Sequence, residues 1–375
     1  MQPLFVAATG QHVGKTTSTL GLIANLRDKG MNVGYCKPVG QQHISINGEI
    51  VDKDVELFAQ LLNFRVSAPI HSPVVMAKGI TRQYIEHPEK FNLRKNIIQS
   101  ANILKASHDI VVYEGTGHPG VGSVADVSNA DVAQLLKAGV IMVVEGGIGN
   151  TIDRLTLSIG QFNHYKIPII GVIVNKVIRK KMEEIEYYVG KKLDQMGLDL
   201  LGVVPFDKTM QYPLMETVRS AIKGRVLFNE PKLANKVEDI VAGSLVDFDE
   251  FSVFNNILLV VSLKRLDEAI ERIQFISKIK KLNKSPLSGI IITGDGRHEH
   301  VYNTTEVGRD YIRDHQIPVI TTELDTYGSV LKISRIEVKI NTRTPWKTAR
   351  AIELMREHVN MDLILDKLDS GNGAS

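Results

Sequence analysis

The chain is short of the residues that would tie it to several classes of protein. It has one cysteine, Cys36, in 375 residues, which excludes a disulfide framework and a cysteine metal cluster and suits a reducing cytoplasm. Its formal charge is only +3, too small to argue for nucleic acid or an acidic membrane as a partner. No apolar stretch approaches the length of a membrane span, and Met1-Gln2-Pro3 lacks the basic start of a signal peptide. A cytoplasmic protein with no nucleic-acid or membrane partner is expected. What is present is ordinary for a globular protein: 43% hydrophobic and 23% charged residues. The length suits about two or three domains.

The strongest local signal is Gly10-Gln11-His12-Val13-Gly14-Lys15-Thr16-Thr17. It follows Leu4 to Ala8, an apolar run that reads as a buried strand, and precedes Ser18 to Asp28, where Leu20, Ile23, Ala24 and Leu26 recur at helical spacing. Strand, glycine loop and helix form the context of a phosphate-binding loop. Its backbone N–H groups and the helix start attract phosphate. Lys15 supplies a charge for the β- and γ-phosphates, and the Thr16 hydroxyl can ligate Mg²⁺. The match is partial, because Thr9 stands where the strict pattern has glycine.

Strands and helices then alternate. Asn32 to Cys36 reads as a strand that leads to Lys37 at its C-terminal end, facing a ligand crevice or merely the surface. Asp54 lies at a helix start, where it can complement the dipole or reach a metal. Residues 64–80 are loop-rich, and Asn92 to Lys105 is helical. Asp109 to Glu114 is an apolar strand ending in a carboxylate, the shape of a Walker B strand that can hold Mg²⁺; the plain alternative is a solvated strand-end charge. The glycine-rich stretch Gly115 to Ser123 follows, with His118 in it. Further strands are expected at Val140–Glu145, Ile167–Val174 and Leu200–Pro205, separated by helices Thr151–Phe162 and Arg179–Met196. Most of these strands are apolar throughout, which predicts a parallel sheet covered on both faces.

A smaller α/β unit begins near Pro213, with strands at Arg225–Phe228, Ile257–Val261, Gly289–Gly294 and Pro318–Ile320, and helices Met215–Ala221, Leu266–Leu282 and one around Tyr302 to Asp314. His298 and His300 lie two apart on a polar loop, too few ligands for a metal site. Trp346–Val359 is an amphipathic helix, and the tail 370–375 reads as disordered.

Gly14-Lys15-Thr16, Tyr35-Cys36-Lys37-Pro38-Val39, Asp54, Glu114-Gly115-Thr116-Gly117, Asn175 and Val204-Pro205 together resemble the dethiobiotin synthetase-like P-loop domain. Residues 114–124 and 147–153 are similar to the N-terminal regulatory half of long-form phosphate acetyltransferase, in which a DRTGG domain follows. The resemblance implies a P-loop NTPase domain over 1–212, a DRTGG-like α/β domain over 213–330, a closing strand and helix over 331–369 packed on that second domain, and the tail. It implies ATP bound by residues 10–17 with Asn175 and Pro205 near the adenine, Mg²⁺ on Thr16, Asp54 and Glu114, and Lys15 and Lys37 as the catalytic cations. Acetyl transfer resides in a further domain of that family and is not expected from these residues. Three functions follow as expectations: a nucleotide or metabolite sensor with slow ATPase activity; an ATP-dependent ligase of the dethiobiotin or cobyrinic acid a,c-diamide synthetase type acting on a small carboxylate; or a structural oligomerisation module. A homodimer is expected, with Gly149-Asn150-Thr151 near a neighbouring site, and a protein partner through the DRTGG-like domain.

Overall fold

The computed structural model describes residues 1–243, 254–294 and 306–370. His298 and His300 and the tail from 371 lie outside the described residues. The chain divides into two compact units, Met1–Asp207 with Ile340–Ser375, and Lys208–Lys339.

The first unit is built on six strands: β1 (Leu4–Ala8), β2 (Val33–Cys36), β3 (Ile110–Glu114), β4 (Gly139–Glu145), β5 (Ile169–Val177) and β6 (Leu200–Pro205). They pair in the order β6-β5-β4-β1-β3-β2, every pair parallel. β1, β2 and β3 are buried at every residue, which requires cover on both faces. On one face Phe5, Ala7, Val111, Tyr113, Val140 and Met142 share a core with helices Leu93–Ser107 and Gly149–His164. Leu4 and Val6 point the other way, where helix α1 (Lys15–Asp28) packs on β1 and β3.

α1 is buried nearly all round despite its many polar residues, with Leu20, Leu22, Ile23 and Leu26 fully buried and Ser18 and Thr19 beside them. The reason lies at the other end of the chain. Helix Pro345–His358 packs on α1, and a Cβ on Gly21 would come within 2.2 Å of Met355. Val359 adds an antiparallel bridge to Gly202 of β6. The expectation that the closing segment packs on the second domain is therefore corrected: residues from Ile340 onward belong to the first unit, and the unit boundaries fall after Asp207 and Lys339 rather than after 212 and 330. An amphipathic stripe states that a helix needs a partner without saying which.

Two small features between β2 and β3 shape the site. The segment expected to be loop-rich contains a short helix, Ala68–His71, and Val74–Val75 pairs in parallel with Val39–Gly40. An antiparallel hairpin joins His43–Ile46 to Glu49–Asp52. Its turn is Asn47-Gly48, both at positive φ (52° and 83°), the Asn-Gly turn whose twist matches the flanking strands.

The second unit has its own five-stranded sheet, from β7 (Arg225–Phe228), β8 (Asp239–Ala242), β9 (Ile257–Ser262), β10 (Leu287–Thr293) and β11 (Val319–Thr322), in the order β7-β11-β10-β9-β8. Only β7 runs antiparallel. Leu259, Val261, Ile290 and Ile292 face helix Leu266–Ile279, and Leu258, Val260 and Ile291 face helix Met215–Ala221. Among the described residues no helix is long and apolar enough to cross a membrane.

Candidate nucleotide and metal site

In a parallel sheet of this kind, ligands bind beyond the C-terminal ends of the strands. Residues 9–14 leave that end of β1. His12 adopts a left-handed backbone (φ 57°), as does Gly14 (φ 113°), which caps α1. Gly14 cannot carry a side chain, since a Cβ there would meet the Asn175 amide at 1.9 Å. The first turn of α1 contains no acidic residue, so nothing on the helix offsets the positive end of its dipole. Gln11 and His12 are exposed, whereas Val13 and Lys15 are buried. The Lys15 ammonium curls back over the loop and donates to the carbonyls of Gly10 at 2.8 Å and Gly117 at 3.0 Å.

Four side chains from four parts of the sequence meet beside this loop. The Thr16 hydroxyl donates to Glu114 Oε1 at 3.0 Å. Lys37 Nζ donates to the same oxygen at 2.8 Å and to Asp54 Oδ2 at 2.9 Å. Lys37 and Glu114 are buried, and the Asp54 side chain is 17% exposed. Burial works against the charge on Lys37, but Asp54 and Glu114 outweigh it and hold its ammonium above the usual lysine range. Burial raises the Glu114 carboxyl above the ordinary range, with Lys37 opposing. Glu114 Oε2 is buried and has no hydrogen-bond partner.

That orphan oxygen fits a divalent cation. A buried carboxylate oxygen left unpaired is costly, and a divalent ion held by Glu114, Asp54 and Thr16 would satisfy it. Among the described residues no group of three or more His, Cys, Asp or Glu could hold a metal ion. An ion here would use two carboxylates and one hydroxyl, with phosphates and water completing its shell, the usual manner of Mg²⁺.

Asp52 is the residue the motifs missed. Its carboxylate is buried at the hairpin's end and accepts from the backbone N–H groups of Gln41 at 3.0 Å, Gln42 at 3.2 Å and Asp54 at 3.0 Å. It therefore ties the turn after β2 to the start of helix Asp54–Leu62, and so fixes Asp54. The Asn47-Gly48 turn was the available signal. Asn129 is a second such residue, holding the backbone of Thr116 and His118 from the next helix. The Thr116 hydroxyl in turn donates to the Val39 carbonyl at 2.6 Å.

The remaining expected residues are placed as follows. Asn175 is buried at the end of β5 and donates to the Val13 carbonyl at 2.9 Å, so it latches the loop from behind. Pro205 closes β6, with β5 and β4 between it and β1. Gly149 and Asn150 are exposed at a helix start, while Thr151 is buried on the Glu145 carbonyl.

A parallel sheet with a glycine loop, a buried lysine and a strand-tip carboxylate defines a P-loop nucleotide-binding domain. The profile of the AAA_26 family, described as an AAA domain, matches residues 2–213, and the chain belongs to that family. It is similar to a phosphate acetyltransferase of Nitrosomonas europaea, 22% identical over 98% of this chain and 52% of that protein. It is similar to a probable cobyric acid synthase of Methanocaldococcus jannaschii, 29% identical over 56% of this chain and 46% of that protein. An ATP-dependent dethiobiotin synthetase of Nitrosopumilus maritimus is 26% identical over 56% of this chain and 91% of its own length. The chain thus spans about half the length of the phosphate acetyltransferase and cobyric acid synthase relatives.

Proposed function

We propose that the first unit binds ATP with Mg²⁺ and that the chain serves as a nucleotide or metabolite sensor, with slow ATP hydrolysis. One observation carries the reading: Thr16, Lys37, Asp54 and Glu114 converge beside the loop and leave Glu114 Oε2 unpaired. Backbone N–H groups of residues 10–17 would cradle the phosphates, and Lys15 would exchange its two carbonyl partners for phosphate oxygens. Thr16, Asp54 and Glu114 would hold Mg²⁺, whose chemistry is to neutralise charge spread over the phosphoryl oxygens. Asn175 and Pro205 would border the adenine side. A homodimer would bring the exposed Gly149-Asn150 turn to a neighbouring copy, and the second, DRTGG-like unit would dock a protein partner.

A second reading is favoured by Lys37 itself. A buried ammonium beside the metal ligands suits an ATP-dependent ligase, in which it would spread the charge of a small carboxylate as that group takes a phosphoryl. The likeness to proteins named as dethiobiotin synthetase and cobyric acid synthase supports it. A purely structural module is disfavoured, because buried charges are expensive to keep without a ligand.

Thermal unfolding of the full chain with and without Mg-ATP tests the proposal. At ligand a hundredfold above its dissociation constant the stabilisation expected is about 2.7 kcal/mol, and Lys15→Ala should abolish it. No shift would favour the structural module. ADP release that requires an added carboxylic acid would favour the ligase.

A further inference from the structure

We infer that Lys37 is the resident cation of the metal site, so that Mg²⁺ enters only together with the nucleotide that gives Lys37 a new partner. The inference rests on the nucleotide reading above. The Lys37 ammonium lies 2.8 Å from Glu114 and 2.9 Å from Asp54, between the two carboxylates that a metal would bridge. It shares Glu114 Oε1 with the Thr16 hydroxyl. A divalent ion held by Thr16, Asp54 and Glu114 would sit against the ammonium and compete with it for the two carboxylates.

An ammonium pushed off these carboxylates would find poorer partners within the chain. Lys37 is buried, so water cannot readily take it up. Asp52 is the next carboxylate, but it already accepts from the backbone N–H groups of Asp54, Gln41 and Gln42, which compete with an added ammonium. Charge points the same way. Lys15 and Lys37 against Asp52, Asp54 and Glu114 sum to a single negative charge. A bare divalent ion would turn that into a net positive charge and leave a buried ammonium unpaired, which is unfavourable. A triphosphate arriving with the metal brings the missing negative charge and offers oxygens to both lysines. Metal and nucleotide then support each other's binding through Lys37, a reciprocal coupling by linkage.

The experiment compares melting of the full-length wild type and Lys37→Met with EDTA, with Mg²⁺ alone and with Mg-ATP. The wild type should be unmoved by Mg²⁺ alone and raised by Mg-ATP. Lys37→Met, whose site carries two negative charges, should be raised by Mg²⁺ alone, with affinity for the bare ion at least about tenfold above wild type, as expected when a neighbouring unit charge is removed. An equal response of both proteins to Mg²⁺ alone, or none from the variant, overturns the inference. Failure of the wild type to respond to Mg-ATP would instead overturn the nucleotide reading, while the bare-ion comparison still tests the exchange. Should Lys37→Met not fold, Mn²⁺ paramagnetic resonance on the wild type decides: without nucleotide the free-ion signal should persist, and its loss refutes the idea.

Discussion

The two units share a fold class and differ in what they place at the ends of their strands. In the first, β3 ends in the buried Glu114 and β2 leads into the buried Lys37. In the second, the described ends of β10 and β11 carry threonines whose hydroxyls find partners inside the chain. Thr293 pairs with Thr326 at 3.1 Å, Thr321 donates to Arg225 O at 3.4 Å, and Thr322 donates to Ile222 O at 3.0 Å. Both arrangements fill the same position in a parallel sheet. One closes its hydrogen bonds internally, and the other leaves a carboxylate oxygen unmatched. Sheet architecture alone therefore does not mark a site; here the mark is an unmatched carboxylate oxygen at a strand tip beside the glycine loop.

The contrast breaks most readily at Asp52. Asp52→Ala would strip an acceptor from three backbone N–H groups at once. Partly buried, those groups should together cost about 3 kcal/mol by chemical denaturation. The Mg-ATP melting shift should also shrink, because Asp54 loses the bond that fixes its helix start. Asp52→Asn retains one oxygen acceptor and should fall between wild type and alanine on both measures. A variant that lost stability yet kept the full shift would show Asp52 to be structural only.

How much of this was legible in the residues follows from the kind of signal each part carries. The strands of the first sheet, the central strands of the second and the loop at residues 10–17 announce themselves by apolar runs and by Gly-Lys-Thr, because burial and phosphate contact each demand particular residue types. Asp239–Ala242, a short edge strand that opens on a charge and is half exposed, was not expected. Lys37 and Glu114 stood out by their places at strand ends, each with a plain surface reading beside it. Asp54 stayed ambiguous, since an acid at a helix start has an ordinary electrostatic reason to be there. Asp52 was missed because its partners are backbone groups, which leave no trace in side-chain patterns. The start of α1 at Lys15 rather than Ser18 was hidden by its cap, a left-handed Gly14 in place of a serine or threonine. The docking of helix Pro345–His358 on α1 depends on the small surface of Gly21, and nothing about a lone glycine names a helix more than three hundred residues away.

A smaller effect should sharpen the contrast through pH. His71 is buried at the end of the short helix after the hairpin, stacked on Phe64 at a ring separation of 4.0 Å. Its carbonyl accepts from the Lys37 N–H at 2.9 Å. Burial pushes its imidazole down to about 4, against an opposing bond to the Ser67 backbone. With the folded value depressed, the unfolded chain binds more protons between pH 4 and 6.5, so stability is full above the unfolded value and falls as pH drops through that window. The loss expected is on the order of 2–3 kcal/mol. His71→Gln should flatten the stability profile of the first unit between those limits. An equally steep profile in the variant would place the acid sensitivity elsewhere.

The least expected effect lies in the second unit. Thr293→Val keeps the shape of a side chain that is 5% exposed and removes one neutral hydrogen bond. Thr326 is only half-buried, so water can replace the partner it loses. The cost should stay at or below about 1 kcal/mol. Nucleotide binding supplies the sharper readout. If the charged strand ends of the first unit hold the ligand, Thr293→Val leaves the Mg-ATP melting shift at its wild-type size. A shift reduced along with Lys15→Ala would mean that the threonine-tipped sheet takes part in binding, and the division between a closed and an open set of strand ends would have to be given up.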